Sequence, residues 1–395
     1  MNTGLLLLAL AYVLSQFFRA FLAVLTAPLQ DSLGVGPDVL ATASGIWFLS
    51  FAAMQIPVGW ALDTIGPRRT AGWLFLVGGG GGAALFAVAQ GPLYIHAAML
   101  LIGVGCSPVL MASFYIFARE FEPAKFATLA ALMIGIGTIG NLISSYPMAL
   151  AAETVGWRNA MWALATVSGV IAFGCLITIR DPARTDSAGD GSLFDLLRMP
   201  MLWLIIPLMF VNYAPVAAVR GLWIGPYLRD VFDMSVAQIG MGTLVMSLAM
   251  ILGTIAYGPL DRILGTRKWV VFGGNVITVA LLVALIGAIG TKPWLSIALM
   301  SAIGFFGATF PVIIAHARSF FPVHLTGRGV TLMNLFGIGG VGVMQTISGR
   351  IHTASAGGDP AAPYTAILGF FAISLAVGVM LYALTRDSRD QRPLS

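Results

Sequence analysis

Two arginines sit among residues that offer their charge no partner. Arg19 follows directly on the run LLLLALAYVLSQFF, and Arg220 follows on MLWLIIPLMFVNYAPVAAV. A guanidinium stays protonated in proteins and presents a planar fork of N–H donors that matches a carboxylate or a phosphate. Away from water such a charge is costly unless an anion or a set of acceptors answers it, so two of them facing a common space would hold an anion. Each has a tyrosine seven residues before it, Tyr12 for Arg19 and Tyr213 for Arg220. On a helix that spacing is two turns and places each Tyr on the face of its Arg. Ser15 and Gln16 fill the intervening turn of the first run and complete a polar stripe. The competing reading is that the long stems carry the charges to a polar edge. Arg19 lies nine residues before Pro28, roughly 13 Å of helix, and Arg220 six before Pro226, roughly 9 Å, so the first reach is strained and the second is open.

Other polar residues stand in apolar surroundings: Asn141, Ser144 and Ser145, Tyr115, Asn334 and Gln345. Asn334 and Gln345 are eleven apart, close to three helical turns, and share a face. Taken singly, each serves equally as a hydrogen bond between packed helices. No Asp or Glu falls deep in an apolar run. His316 and His96 fall near the ends of their runs and are expected at an interface rather than in a proton relay.

The elements that position these residues follow from composition. Charged residues are 9% of the 395 and hydrophobic ones 58%, against about a quarter charged in soluble domains. Such a chain cannot cover a water-facing surface. About 20 apolar residues at 1.5 Å rise cross a bilayer as a helix, and a dozen runs of that kind are predicted. They lie near 4–28, 39–62, 71–90, 93–118, 126–150, 158–179, 200–224, 236–259, 269–290, 293–317, 329–349 and 363–385. The first has no basic stretch before it and no small-residue cleavage site after it, so it reads as a retained helix rather than a signal peptide. The class is therefore an all-α membrane protein in the lipid bilayer, placed in a bacterial inner membrane. With the N-terminus cytoplasmic, fifteen basic residues fall in cytoplasmic segments and four on the other side, with Arg19 and Arg220 in helices. That bias places both termini in the cytoplasm. The net charge of +5 thus comes from loop residues that anchor topology, and no nucleic-acid partner is expected. Cys106 and Cys175 both lie in apolar runs and read as packing residues.

The chain also repeats. A shift of 198 to 201 positions brings Pro28 onto Pro226, Asp63 onto Asp261, Arg119 onto Arg318, Pro123 onto Pro322, and Leu132-Met133 onto Leu332-Met333. A duplicated six-helix unit follows, with halves 1–180 and 200–395 joined by the polar linker 181–199, which is expected to be flexible with a short interfacial helix around Phe194. Parallel repeats of this kind place a site near the midplane between them.

Here a family resemblance emerges. The segment GWALDTIGPRRT, with Gly59, Asp63, Gly66, Arg68 and Arg69, resembles the signature of the major facilitator superfamily. GPLDRILGTRK, with Gly258, Asp261, Gly265, Arg267 and Lys268, resembles its second-half copy with one extra residue between Asp and Gly, and GWR at Gly156 to Arg158 also recurs in that superfamily. The resemblance implies twelve helices in two six-helix bundles, and a gating role for these signature residues at the cytoplasmic face. Glycines there allow a tight turn, and Asp63 with the basic pair can form charge-assisted contacts at a helix end. The placement of Arg19 and Arg220 is similar to that of the organophosphate:phosphate exchangers of the superfamily.

The expected function is secondary transport of a small organic anion, a carboxylate or phosphate ester, by alternating access, with exchange or uniport favoured over proton symport. Efflux of lipophilic drugs is a second reading; against it, Asn141 rather than proline follows Gly140. Soft-metal transport is a third, on Met241, Met246 and Met250, and a sensor on the same fold is a fourth. No catalytic constellation, cofactor motif or zinc spacing is present, and a monomer is expected. The glycine runs at 78–82, 135–140 and 337–342 read as close helix contacts rather than phosphate loops, and Pro108, Pro147, Pro215 and Pro311 either as bends for a moving carrier or as tolerated kinks.

Overall fold

The computed structural model describes residues 3–182, 196–322 and 325–387. Among them twelve spans appear: α1 (Thr3–Phe17 with Leu22–Leu33), α2 (Pro37–Thr64), α3 (Pro67–Ala87), α4 (Pro92–Glu120), α5 (Thr128–Thr154), α6 (Trp157–Thr178), α7 (Pro200–Phe232), α8 (Val236–Ile263), α9 (Lys268–Ala288), α10 (Pro293–Arg318), α11 (Thr326–Ala354) and α12 (Ala362–Ala383). They form two pseudo-symmetric six-helix bundles, α1 to α6 and α7 to α12. The interfacial helix expected around Phe194 lies outside the described residues.

Two predicted helix ends fall short. The first and seventh helices run on to Leu33 and Phe232 instead of ending near 28 and 224. Pro28 sits inside its helix. A proline removes one backbone bond, but neighbouring helices keep a membrane helix intact around it.

Glycine sets the closest approaches, and it does so twice over. A methyl added at Gly140 on α5 would overlap the Val13 carbonyl of α1, and one at Gly340 on α11 would overlap the Phe210 carbonyl of α7. The two contacts are the same contact in the two bundles, which places the repeat in three dimensions. Gly78 of α3 and Gly105 of α4 meet the same way, so the GGGGG run is a helix crossing.

Two ends can be distinguished. The basic end carries Arg68, Arg119, Arg267 and Arg318; the opposite end carries the turns at Gly34, Gly156 and Gly290, all with positive φ. At the opposite end the GWR segment has a structural task. Arg158 donates from Nη1 to the Ala87 carbonyl and from Nη2 to the Ala89 carbonyl, both at 2.8 Å, and so caps α3. Its guanidinium lies over Trp157 at 4.3 Å, and Trp157 Nε1 donates to Ser32 Oγ of α1 at 3.1 Å. Arg158→Ala strands both carbonyls, which is expected to remove about 1–3 kcal/mol and to lower the thermal unfolding midpoint, while leaving ligand affinity unchanged.

Candidate functional site

α1 breaks where Arg19 sits. Its two arms meet at 57° across residues 18–21. α7 changes at the matching place, winding into a π-helical segment over Val219–Trp223 that contains Arg220. Wide turns of this kind leave backbone groups and side chains turned out of the regular ladder and recur at functional sites. The breaks leave each tyrosine beside its arginine: Tyr213 stays against Arg220 and Tyr12 near Arg19, although the arginines themselves sit at the bend and in the π-helical turn.

The arginines are nonetheless held centrally. Arg220 is 1% exposed, and its Nη1 donates to Asn141 Oδ1 of α5 at 2.8 Å, a bond between the two bundles. With α7 running on to Phe232, reaching the opposite edge is excluded for Arg220. Arg19 lies with its guanidinium 5.3 Å from the Trp47 ring and 4.9 Å from the Phe51 ring of α2. Cation–π contact fixes it without neutralising it. The backbones of the two helices touch at the same level, Gly221 against the Arg19 carbonyl. Tyr12, which accepts from Gln16 Nε2 at 2.8 Å, and Tyr213 lie close enough to the arginines to interact with them electrostatically.

What marks the site is what lacks a partner. Arg19 Nε, Arg220 Nε, Trp47 Nε1 and both amide atoms of Gln345 are buried without a hydrogen bond. Gln345 is 0% exposed. Three residues further along α11, Ser348 accepts from Trp223 Nε1 of α7 at 2.9 Å, and Trp223 is three residues beyond Arg220. α7 and α11 run parallel, so Gln345 and Arg220 lie at the same depth. Asn334 is half-buried nearer the basic end of α11.

The basic-end signature is assembled differently from the expectation. Asp63, 66% exposed, pairs with Arg119 of α4 at 3.5 Å rather than with the adjacent arginines. The Arg68 amide donates to Asp181 Oδ1 at 2.8 Å, just beyond α6, and Arg69 is exposed. Gly66 has φ 101°, and a side chain there would meet the Asp181 carboxylate at 2.8 Å. Gly59 faces Met111 of α4. In the second bundle Arg267 bonds Asp261 at 3.2 Å and the Ala315 carbonyl of α10 at 3.3 Å, Gly265 has φ 61°, Lys268 lies over Trp269 at 5.1 Å, and Thr266 donates to Asp387. Asp181 and Asp387 thus hold equivalent turns from the ends of α6 and α12. They fall outside the signature and were not singled out.

His316 is also corrected. It is fully buried, with Nδ1 bonded to Tyr382 Oη at 2.6 Å and Nε2 to the Arg386 carbonyl at 3.0 Å, so it fastens α10 to α12 instead of lying at an interface. His96 Nε2 bonds the Val39 carbonyl at 3.2 Å. The methionines of α8 diverge: Met246 is buried against Gly304 while Met241 is exposed. A buried triad that no motif signalled, Asn212 with Asn275 at 2.6 Å and with Thr309 at 2.9 Å, ties α7, α9 and α10 together.

The two bundles are joined at the opposite end. Arg229 pairs with Asp31 at 2.8 Å, and the Ala237 amide donates to Glu153 at 2.9 Å. Gly225 rests on the Ala23 carbonyl, Gly240 on Tyr146 and Ala149, Gly45 on Gly342 and Thr346, and Gly349 on Asp38 and Ala41. At the basic end the signature contacts stay within each bundle.

A family model described as Major Facilitator Superfamily matches residues 8–228 and 210–395. Among curated relatives, an uncharacterized transporter from Bacillus subtilis (strain 168) is 26% identical over 40% of this chain and 36% of its own length. A probable L-galactonate transporter of Escherichia coli (strain K12) is 20% identical over 69% of this chain and 63% of its own, and a gallate transporter of Pseudomonas putida is 29% identical over 28% and 25%. The chain therefore spans less than two thirds of the length of each of these relatives. A solved bacterial homologue of the lysosomal transporter Spinster, inward-facing and occupied, superposes with a TM-score of 0.77 at 15% identity, covering 98% of this chain and 96% of its own.

Proposed function

Because this chain belongs to the major facilitator superfamily, we propose that it is a secondary active transporter that moves a small organic anion, a carboxylate in the first instance, by alternating access between its bundles. The observation that carries the reading is the central set of buried donors left without partners. Arg19 Nε, Arg220 Nε and Trp47 Nε1 are all donors, and among the described residues no carboxylate pairs with either guanidinium. Buried polar groups are normally satisfied, and buried charges paired. A bound carboxylate would meet both requirements. Two of the relatives carry sugar-acid or phenolic-acid substrates in their names, and both of those are carboxylates.

The basic end is assigned to the cytoplasm, with both termini, on the excess of arginine and lysine there. The conformation then reads as shut towards the outside. Asp63, Gly66, Arg68 and Arg69, with Asp261, Gly265, Arg267 and Lys268, are assigned to closing the cytoplasmic end in the other half of the cycle. Gly66 and Gly265 turn the chain there, and Asp181 and Asp387 hold the turns in place.

The test is thermal unfolding of purified protein with galactonate, benzoate, glycerol 3-phosphate and, as the uncharged control, galactose. A ligand at about a hundred times its Kd stabilises by about 2.7 kcal/mol, so a carboxylate should raise the midpoint by several degrees and galactose should not. An equal shift with galactose, or none with any anion, would remove the anion assignment.

A further inference from the structure

The side chain of Gln345 is fully buried, and neither its Oε1 nor its Nε2 bonds to any described residue. Its direction is set by its neighbours on α11. Three residues before it, Gly342 lies against Gly45 and Leu49 of α2; three residues after it, Ser348 accepts from Trp223 of α7 at 2.9 Å. At about 100° per residue, three residues fall about 60° short of a full circle, so Gln345 points into the angle between α2 and α7. Gly349, against Ala41 and Asp38, keeps α2 on the Gly342 side of the helix. The angle is closed by α1. There the Arg19 carbonyl meets Gly221 of α7, and the Arg19 guanidinium lies on Trp47 and Phe51 of α2. The helices α1, α2, α11 and α7 thus ring one space, each touching the next, and Arg19 belongs to the helix opposite Gln345. The levels agree as well. Gln345 stands three residues before Ser348 and Arg220 three before Trp223 on parallel helices, and Gly221 brings Arg19 to the same height.

We propose that Gln345 reads a hydroxyl group on the transported anion, so that the cargo is a hydroxylated carboxylic acid; this rests on the anion reading of the arginines. The chemistry of the amide selects that class. A carboxylate only accepts, so it can meet Nε2 and the guanidiniums but leaves Oε1 without a donor. A hydroxyl can donate to Oε1 or accept from Nε2, and two hydroxyls on neighbouring carbons satisfy the whole amide. An acid that lacks them leaves both polar atoms of Gln345 buried and unmet, which is the arrangement that separates substrates most strongly. A tether between helices is the other use of a buried glutamine. The hydroxyls beside it on α11 are engaged elsewhere: Ser348 donates to the Gln345 backbone carbonyl and Thr346 to that of Gly342. Arg19 and Gln345 also come from different bundles, so an acid that carries hydroxyls is held by both.

The experiment is titration of purified wild type and Gln345→Met with two matched pairs of acids, galactonate against hexanoate and 3,4,5-trihydroxybenzoate against benzoate. Methionine keeps the length of glutamine and removes both polar atoms. Wild type should bind the hydroxylated member of at least one pair about ten-fold or more tighter than its counterpart. Gln345→Met should weaken that member by about ten-fold, the scale of one buried hydrogen bond, and leave the unhydroxylated acid within about three-fold. Without ligand, the variant should unfold at the wild-type temperature or above it, because two unmet polar atoms have given way to apolar ones. Equal affinity within both pairs in the wild type overturns the proposal, and so does a preference that survives in Gln345→Met. A lowered unfolding temperature of the ligand-free variant overturns it too, by making the amide a structural tether. The anion reading fails in a different way: binding by none of the four acids removes it and this proposal together, whereas equal binding within each pair removes this proposal alone.

Discussion

Arg220→Gln is expected to reduce binding of the anion by at least about thirty-fold while leaving the protein folded. Truncating one partner of a buried, hydrogen-bonded charge pair costs about 2–5 kcal/mol, which is about thirty-fold to several thousand-fold in affinity. Folding should survive because glutamine keeps a donor for Asn141 Oδ1, which now accepts from Arg220 Nη1 at 2.8 Å, and removes a charge that no described carboxylate pairs with. Relief of an uncompensated buried charge commonly stabilises. Arg19→Gln should weaken binding by a similar factor, since Trp47 and Phe51 hold the guanidinium in place but do not neutralise it. Lysine at either position should recover only part of the affinity, because it restores the charge without the two-pronged fork. Titration of purified variants with the carboxylate that shifts the wild type gives the affinities, and thermal unfolding without ligand separates a site defect from a folding defect. Wild-type affinity in both glutamine variants would make the arginines structural and return the choice to an apolar or metal cargo.

The sequence made the helices legible because each must present about 20 apolar residues to the bilayer, and that demand leaves its mark at every position. It made the arginines legible for the same reason: a charge in such a run stands out. It did not show how the arginines are presented. The bend at 18–21 and the π-helical turn at 219–223 arise where α1 and α7 press together through Gly221 and Gly225, a contact between residues some two hundred positions apart. A local helical period cannot register that. The partners of the signature were hidden likewise. Asp63 was read against its neighbours Arg68 and Arg69, but those follow a tight turn at Gly66 that points them at Asp181, leaving Asp63 to Arg119.

Gly225→Val should hold the opposite end of the protein open. At Gly225 a β carbon would fall on the Ala23 carbonyl of α1, with the Ala23 carbonyl carbon 2.8 Å away, so the overlap is with backbone that cannot rotate aside. Valine adds two further methyl groups in the same direction. The contact lies between bundles, and the glycine is not needed for either bundle to form, since α7 packs on its own neighbours through Gly340 and the Phe210 carbonyl. The variant is therefore expected to fold and to lose only the state in which Arg229 meets Asp31 and Glu153 meets the Ala237 amide. The segments 22–33 and 225–232 should exchange amide hydrogens at least tenfold faster than in wild type, and turnover should fall close to zero because a carrier that cannot shut one end cannot complete its cycle. Gly340→Val is the control for position. It overlaps backbone inside one bundle, so it should lower the yield of folded protein instead of shifting a conformational balance. Unchanged exchange in folded Gly225→Val would mean that the two helices can separate here without opening the end, and that the other contacts between the bundles, at Gly45 with Gly342, at Gly240 and at Gly349, suffice to hold it shut.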